Sequence, residues 1–157
     1  MASDLRTELK QTRPFRSARE EAWLSVQRTA AIHEHAFETW LKPSGITATQ
    51  YNVLRILRGA GTDGLCRNEI RERMVRRVPD VTRLLDRLEE QRLIGRARTG
   101  SDRRYVTTRI TRAGMKVLAD LDDAVDEFHN QEFGHMADDK LRLLVDVLAE
   151  VRAQEQD

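Results

Sequence analysis

Residues 78–104 read VPDVTRLLDRLEEQRLIGRARTGSDRR, and the fold can be worked out from this stretch. In its first half, apolar residues recur at i, i+3, i+4 and i+7, namely Val81, Leu84, Leu85 and Leu88. This spacing predicts an amphipathic helix over about 79–91 that buries one stripe and exposes the opposite face. Pro79 suits the first turn of such a helix, because proline has no backbone N–H and the N–H groups of the first turn have no acceptor within the helix.

A hairpin is predicted to follow this helix. Residues 93–98 and 105–110 have the length and composition of strands, and the tip between them, residues 99–103, contains glycine, aspartate and arginine. Upstream, Leu65 is predicted to be a stub of strand and residues 67–74 a short helix. A helix that begins with small polar and basic groups, followed by a basic-tipped hairpin, is typical of the DNA-reading end of a winged helix.

A long helix is predicted on the N-terminal side, over residues 17–41, after an arm that we expect to be extended or partly ordered. Ser17 and Glu20 have capping-box spacing at its start, and a Lys-Pro-Ser-Gly sequence ends it. Its apolar residues approximate one stripe, formed by Trp23, Val26, Ala30, Phe37 and Trp40. Another helix is predicted to begin at Thr47, which has the same capping-box spacing to a glutamine.

Two more helices are predicted after the hairpin. Thr111 is expected to cap a long helix whose apolar side is formed by Met115, Leu118, Leu121, Val125 and Phe128. The last helix, about 138–154, has leucines and a valine at the a/d-like spacing of helices that pair with other helices. With 157 residues, the chain is expected to form one ordinary domain, or one compact lobe with a dimerisation arm.

The composition indicates a cytoplasmic protein without a membrane segment. The single cysteine excludes an intramolecular disulfide framework and agrees with a reducing compartment. No apolar run approaches the roughly 18 residues of a transmembrane helix. The N-terminus is charged throughout and lacks the apolar stretch of a signal peptide.

The net charge of +1 conceals a strong asymmetry along the chain. Residues 61–112 contain 14 arginines, no lysine and 8 acidic residues, which gives this segment a net charge of +6. Residues 117–157 contain 3 basic and 12 acidic residues, a net charge of −9. A basic middle segment suits a polyanion-binding surface, although charged runs are also found on helix faces that are simply solvated.

The order of elements and three sequence patterns resemble the MarR family of bacterial transcription regulators, across about residues 17–152. The first pattern is GITATQYNVL at 45–54, the second is VTRLLDRLE at 81–89, and the third is SDRR at 101–104 followed by RIT at 109–111. One departure lies in the turn at 74–78, MVRRV, where the family often has a glycine. Because valine tolerates a positive φ badly, we expect this turn to follow a different backbone path.

The resemblance implies a mainly α fold with a small β-hairpin wing. Residues 46–111 would form the winged helix-turn-helix lobe, and residues 17–41 and 112–154 the N- and C-terminal dimerisation helices of a single domain. It also implies a homodimer that binds pseudo-palindromic double-stranded DNA, usually as a repressor released by a small ligand or by oxidation. Half-sites would then lie about one helical turn apart.

The predicted recognition helix contains the main candidates for base contacts. Thr82 and Arg83 leave its first turn on the solvent side, and Arg83 can bind guanine O6 and N7 bidentately. The resemblance places Arg83 at a base-contacting position, whereas the alternative is a surface arginine paired with Asp86. Asp80 is either a helix cap or an acceptor for a cytosine amine.

The hairpin and its surroundings contain the other candidates. By resemblance, Arg103 is a minor-groove arginine, and Asp102 beside it is expected to fix the wing rather than to touch DNA. Further DNA-contact candidates, which are also explained as solvated side chains, are Arg67, Asn68, Arg76, Arg77, Arg87, Arg96, Arg98 and Arg104.

Two further groups of residues have both a functional and a structural interpretation. Trp23, His33, Phe37 and Trp40 either line an effector pocket or belong to the core. Cys66, at a helix start beside an arginine, either senses oxidation or is a buried small side chain.

No metal site and no cofactor are expected. His33 and His35 do not share a helix face, so they are not a chelating pair. A zinc site that uses His129 and His135 is the alternative to two structural histidines.

Two other classes of function compete with a DNA-binding regulator. The sequence has no glycine-rich phosphate loop, no catalytic-triad pattern and no HExxH, so an enzyme is not expected. A winged helix that binds only proteins would not need arginines at positions 83 and 103. The sequence does not identify the operator, the target genes or the effector.

Overall fold

The computed structural model describes residues 4–98 and 106–153. In chain order, the elements are α1 (Leu5–Glu8), α2 (Ala18–Leu41), a 3-10 turn (Lys42–Ser44), α3 (Ala48–Ala60), α4 (Arg67–Arg73), α5 (Val81–Glu90), β1 (Ile94–Arg98), β2 (Val106–Ile110), α6 (Arg112–Phe133) and α7 (Asp138–Ala153). The predicted fold class, mainly helical with a two-stranded hairpin, is confirmed. Within the described ranges, no helix is long and apolar enough to cross a membrane.

The helix starts follow their capping residues, with two corrections. Thr47 and Gln50 form the expected reciprocal capping box at α3. At α2, Ser17 accepts from the Glu20 N–H, but the Glu20 carboxylate accepts from the Arg16 N–H at 2.6 Å, so the box expected there is incomplete.

At α5 the cap is Asp80, and Pro79 therefore precedes the helix instead of occupying its first turn. The N-terminal arm, expected to be extended or partly ordered, contains the short helix α1, which Asp4 caps.

The buried core lies between α3, α4, α5, the base of the hairpin and the first half of α6. The apolar side chains that are almost completely buried there are Val53, Leu54, Leu57, Ile70, Leu85, Leu88, Ile94 and Leu118. The apolar positions predicted for α5 face this core, with Leu84 only partly buried. Burial of one stripe of α5 leaves its opposite face in solvent.

The hairpin is antiparallel, with Ile94 paired to Ile110 and Arg98 to Val106. The predicted strand stub is present as a bridge between Leu65 and Thr108. Gly64 precedes it with a φ of 71°, and a Cβ there would lie 2.6 Å from the Thr108 carbonyl oxygen, so the position requires glycine.

The start of α6 is bonded to the corner between α5 and β1. The Thr111 N–H donates to the Leu93 carbonyl at 3.0 Å, and the Thr111 hydroxyl donates to the Arg92 carbonyl at 2.7 Å. Gly114, one turn later, packs against the same Leu93 carbonyl. The lobe and the C-terminal helices are therefore connected at a tight backbone crossing.

Helices α2 and α7 expose apolar side chains to solvent, and within residues 4–98 and 106–153 no element buries them. On α7 no residue is buried, and Leu143, Val145 and Val151 are more than half exposed. The stripe predicted for α2 is split, because Phe37 and Trp40 pack on the core whereas Trp23 is 67% exposed. Faces of this kind are typical of an interface with another chain.

Candidate nucleic-acid interface

The exposed face of α5 presents Thr82, Arg83 and Arg87 to solvent. Asp80 accepts the Arg83 N–H at 2.9 Å. This residue therefore caps α5, as its structural interpretation predicted. In the part of the chain that the structure describes, no side chain binds the guanidinium group of Arg83. The pairing with Asp86 that would have explained Arg83 structurally is absent from that part, since Asp86 binds another arginine.

The start of α4 lies beside the start of α5. Arg67 donates to the Thr82 hydroxyl at 3.3 Å, which orients both side chains on the same surface. Arg67 and Asn68 are exposed, and they line a cavity of about 390 Å³ between α4, α5 and the hairpin. The backbone N–H of Cys66 donates to Glu69 at 2.7 Å and lowers the pKa of that carboxyl group.

The turn between α4 and α5 avoids the positive φ that valine tolerates badly. Met74 has an extended conformation (φ −68°, ψ 134°), and no residue from 74 to 78 has a positive φ. Asn52 of α3 holds the turn by accepting the Val75 N–H at 3.1 Å. Arg76 forms an ion pair with Glu34 of α2 at 3.0 Å, so this phosphate-contact candidate has an intramolecular partner.

Asn52→Ala is expected to lower the stability of the turn by about 1 kcal/mol, because the Val75 N–H loses its acceptor. Asn52→Asp keeps an oxygen at the same place and is the matched control. Thermal unfolding of the two variants checks the assignment: equal melting temperatures would show that the hydrogen bond contributes nothing.

The two hairpin arginines differ in their surroundings. Arg98 is exposed at the end of β1. Arg96 is turned toward α5, where it binds Asp86 at 2.7 Å and Glu89 at 2.9 Å. Its geometry does not favour the phosphate contact that the sequence suggested, because two carboxylates already occupy the guanidinium group. Asp86 and Glu89, three residues apart on one helix face, were the available signal for this role.

Comparison with known proteins gives the family. A family model described as "MarR family" matches residues 44–104. The chain is 30% identical to the HTH-type transcriptional regulator FarR of Neisseria gonorrhoeae over 115 residues, which are 73% of this chain and 77% of that protein. The chain belongs to the MarR family.

Solved structures give the same fold. A MarR transcription factor from Planctomyces limnophilus superimposes with a TM-score of 0.67 and 35% identity, covering 87% of this chain and 98% of that one. A mutant E. coli MarR solved with operator DNA has a TM-score of 0.76 and 22% identity, with coverage of 95% and 99%.

The wing-tip residues of the MarR pattern, Asp102, Arg103 and Arg104, lie outside the described residues. Within the described part of the hairpin, Arg109 donates to the Thr62 carbonyl at 2.7 Å. This bond and the bridge between Leu65 and Thr108 fix the base of the MarR wing.

The four residues suggested for an effector pocket have different surroundings in the structure. Phe37 and Trp40 stack with ring centroids 5.6 Å apart, and both pack on Phe128 as part of an aromatic cluster. His33 binds Glu132 at 2.6 Å and stacks on a phenylalanine of α6, whereas Trp23 is exposed at the other end of α2. Phe37 and Trp40 are thus accounted for by packing, and His33 by its contact with Glu132 and by ring stacking.

Cys66 is the N-cap residue of α4 and is partly buried. No group of three or more potential metal ligands occurs among the described residues.

Proposed function

We propose that this protein is a homodimeric, sequence-specific DNA-binding regulator that acts as a repressor on pseudo-palindromic duplex DNA in the cytoplasm. The observation that carries the proposal is the exposed start of α5, where Arg83 has a free guanidinium group within the described residues. Membership of the MarR family and the net charge of +6 over residues 61–112 support it.

The proposed contacts fall into two kinds. Thr82 and Arg83 read base edges in the major groove, because they project from the first turn of α5 on its solvent-exposed face. Backbone phosphates are contacted by exposed side chains that add affinity without sequence information, and we assign this role to Arg67, Asn68, Arg77, Arg87 and Arg98. By family resemblance, Arg103 enters the adjacent minor groove and Asp102 fixes the wing, and Arg104 is a further candidate for a phosphate contact.

The dimer is proposed to form through residues 17–41 and 112–154. The exposed apolar residues of α7 and of the first half of α2 require cover that residues 4–98 and 106–153 do not supply. A second copy of the chain supplies matching faces and places two α5 helices about 34–36 Å apart, the spacing of half-sites on one side of a duplex.

A small-molecule effector is proposed from the family resemblance. The aromatic cluster of Phe37, Trp40 and Phe128 connects α2 with α6. Helix α2 precedes the DNA-binding lobe in the chain, and α6 follows it. A ligand that rearranges this cluster would change the distance between the two α5 helices of a dimer and so change DNA affinity.

The competing function is a protein-interaction module without specific DNA binding, and no catalytic role is proposed. The alternative is distinguished by titrating the protein against duplexes tiled over the DNA beside its gene at two salt concentrations. A regulator binds one tile with two subunits per site, and its affinity falls steeply with salt. An interaction module binds no tile even at low salt.

Arg83→Ala is expected to relax base preference, at a cost of about 1–3 kcal/mol at one base pair. The control is Arg87→Ala on the same face of α5, which should weaken binding to preferred and scrambled duplexes by similar factors. Fluorescence anisotropy with single-base substitutions measures both. An unchanged ratio between preferred and scrambled DNA in Arg83→Ala would remove Arg83 from the base-reading set.

A further inference from the structure

Arg96 of β1 is enclosed by two carboxylates of α5. Its Nη2 donates to Asp86 Oδ1 at 2.7 Å, its Nε donates to Glu89 Oε2 at 2.9 Å, and its backbone N–H donates to Glu89 Oε1 at 3.2 Å. The Arg96 side chain is 25% exposed, less than the side chains of Asp86 (47%) and Glu89 (39%). We name these three residues the Arg96 clasp.

The charge of the clasp argues against a phosphate site. One guanidinium group and two carboxylates give it a net charge of −1, so a phosphate would be repelled unless it displaced a carboxylate. The hydrogen bond from Arg96 lowers the pKa of the Glu89 carboxyl group, because it stabilises the ionised form. Glu89 is therefore a charged partner of Arg96.

The position of the clasp connects the two parts that read DNA. Strand β2 is held at the other side of the lobe, where Leu65 pairs with Thr108 and Arg109 binds the Thr62 carbonyl. Strand β1 is held to α5 by the clasp. Because Glu89 binds both the side chain and the backbone N–H of Arg96, it restrains the strand itself and not only a flexible side chain.

We propose that Arg96 is a positioning residue that, through Asp86 and Glu89, sets the orientation of the wing relative to the recognition helix. The proposal rests on the proposed DNA-binding function. Arg83 and Asp86 are three residues apart, about 4.5 Å along the axis of α5. A change in the angle between α5 and the hairpin therefore shifts the wing relative to the bases that Arg83 contacts. Specificity requires both grooves to be engaged in one register.

The direction in which DNA affinity changes when negative charges are removed from the clasp distinguishes a positioning role of Arg96 from a phosphate contact. Asp86→Asn with Glu89→Gln removes two negative charges from the DNA-binding lobe and frees Arg96. If Arg96 contacted phosphate, this double variant would bind DNA more tightly. If Arg96 positions the wing, the double variant binds its preferred duplex about tenfold more weakly, which is about 1.4 kcal/mol, while scrambled DNA is bound as well as before or better.

The matched control is Glu90→Gln, next to the clasp on α5. Glu90 is exposed, and its replacement removes a negative charge from the same lobe without affecting the clasp. It should slightly strengthen binding to both duplexes. Arg96→Lys, which keeps the charge but cannot bridge both carboxylates, should lose part of the specificity, and Arg96→Ala should lose more.

The experiment is anisotropy of wild type and variants on preferred and scrambled duplexes over a salt series, with thermal unfolding in parallel. The slope of log affinity against log salt should be the same for wild type and Arg96→Ala. A slope reduced by about 0.9 would show a lost phosphate contact and overturn the proposal. So would a double variant that keeps wild-type preference.

The remaining outcomes are also decisive. Wild type without any preferred duplex would overturn the proposed function, and the positioning role with it. If the double variant does not fold, Arg96→Lys decides in its place: unchanged preference for the operator would overturn the positioning role.

Discussion

Leu144→Glu is expected to convert the dimer into monomers and to weaken operator binding by more than about hundredfold. Leu144 lies at the centre of α7, in the middle of its run of exposed apolar residues. A carboxylate placed there would be buried without a partner in the proposed interface, a cost of several kcal/mol. A monomer binds one half-site only and loses the avidity of two linked contacts, which commonly amounts to about 10²–10⁴ in affinity.

The measurement combines light scattering, to obtain the mass, with anisotropy on the operator. Arg142→Glu is the matched control, because Arg142 is exposed on the polar side of the same helix and its replacement changes the charge by more than Leu144→Glu does. We expect this control to remain a dimer and to keep most of its DNA affinity. A Leu144→Glu variant with the mass of a dimer would place the interface elsewhere on the chain.

Gly114→Ala is expected to lower the free energy of unfolding by about 2–3 kcal/mol, the cost of inserting a methyl group into a filled space. A Cβ at position 114 would overlap the Leu93 carbonyl oxygen and lie 2.8 Å from Cγ1 of Ile110. Neither atom can move freely, because Leu93 O accepts the Thr111 N–H and Ile110 ends β2. The same substitution should separate α6 from the hairpin base and so reduce operator affinity.

Gly59→Ala is the control for Gly114→Ala. Gly59 lies in α3, and a Cβ at this position would have nothing within 4 Å, so alanine there should raise stability by about 0.5–1 kcal/mol through helix propensity. Thermal unfolding of the two variants should therefore show shifts of opposite sign. A Gly114→Ala protein as stable as the wild type would mean that α6 does not cross the hairpin at this close distance.

Local pattern was sufficient to predict the elements of the lobe. The spacing of Val81, Leu84, Leu85 and Leu88 predicted α5 and its buried stripe, and the residues between Leu93 and Ile110 predicted the hairpin. These predictions succeed because the apolar periodicity of a helix or strand and the chemistry of its caps depend on neighbours a few residues away. The exposed position of Arg83 follows from the same periodicity.

Contacts between distant residues were not predictable in this way. The sequence suggested a phosphate contact for Arg96, but the fold turns its side chain to Asp86 and Glu89. The four residues suggested as an effector pocket are distributed between an aromatic cluster, a hydrogen bond to Glu132 and solvent. Asn52, which holds the turn before α5, was not singled out at all.

The sequence by itself therefore determined the type and order of the elements, the face of α5 that is exposed to solvent and the family resemblance. Only the tertiary structure decided which arginines are free for DNA and which are bound within the protein. The physical reason is that the partner of a charged side chain depends on how helices and strands pack. The sequence of a strand does not show which acidic residues of a neighbouring helix face its arginines.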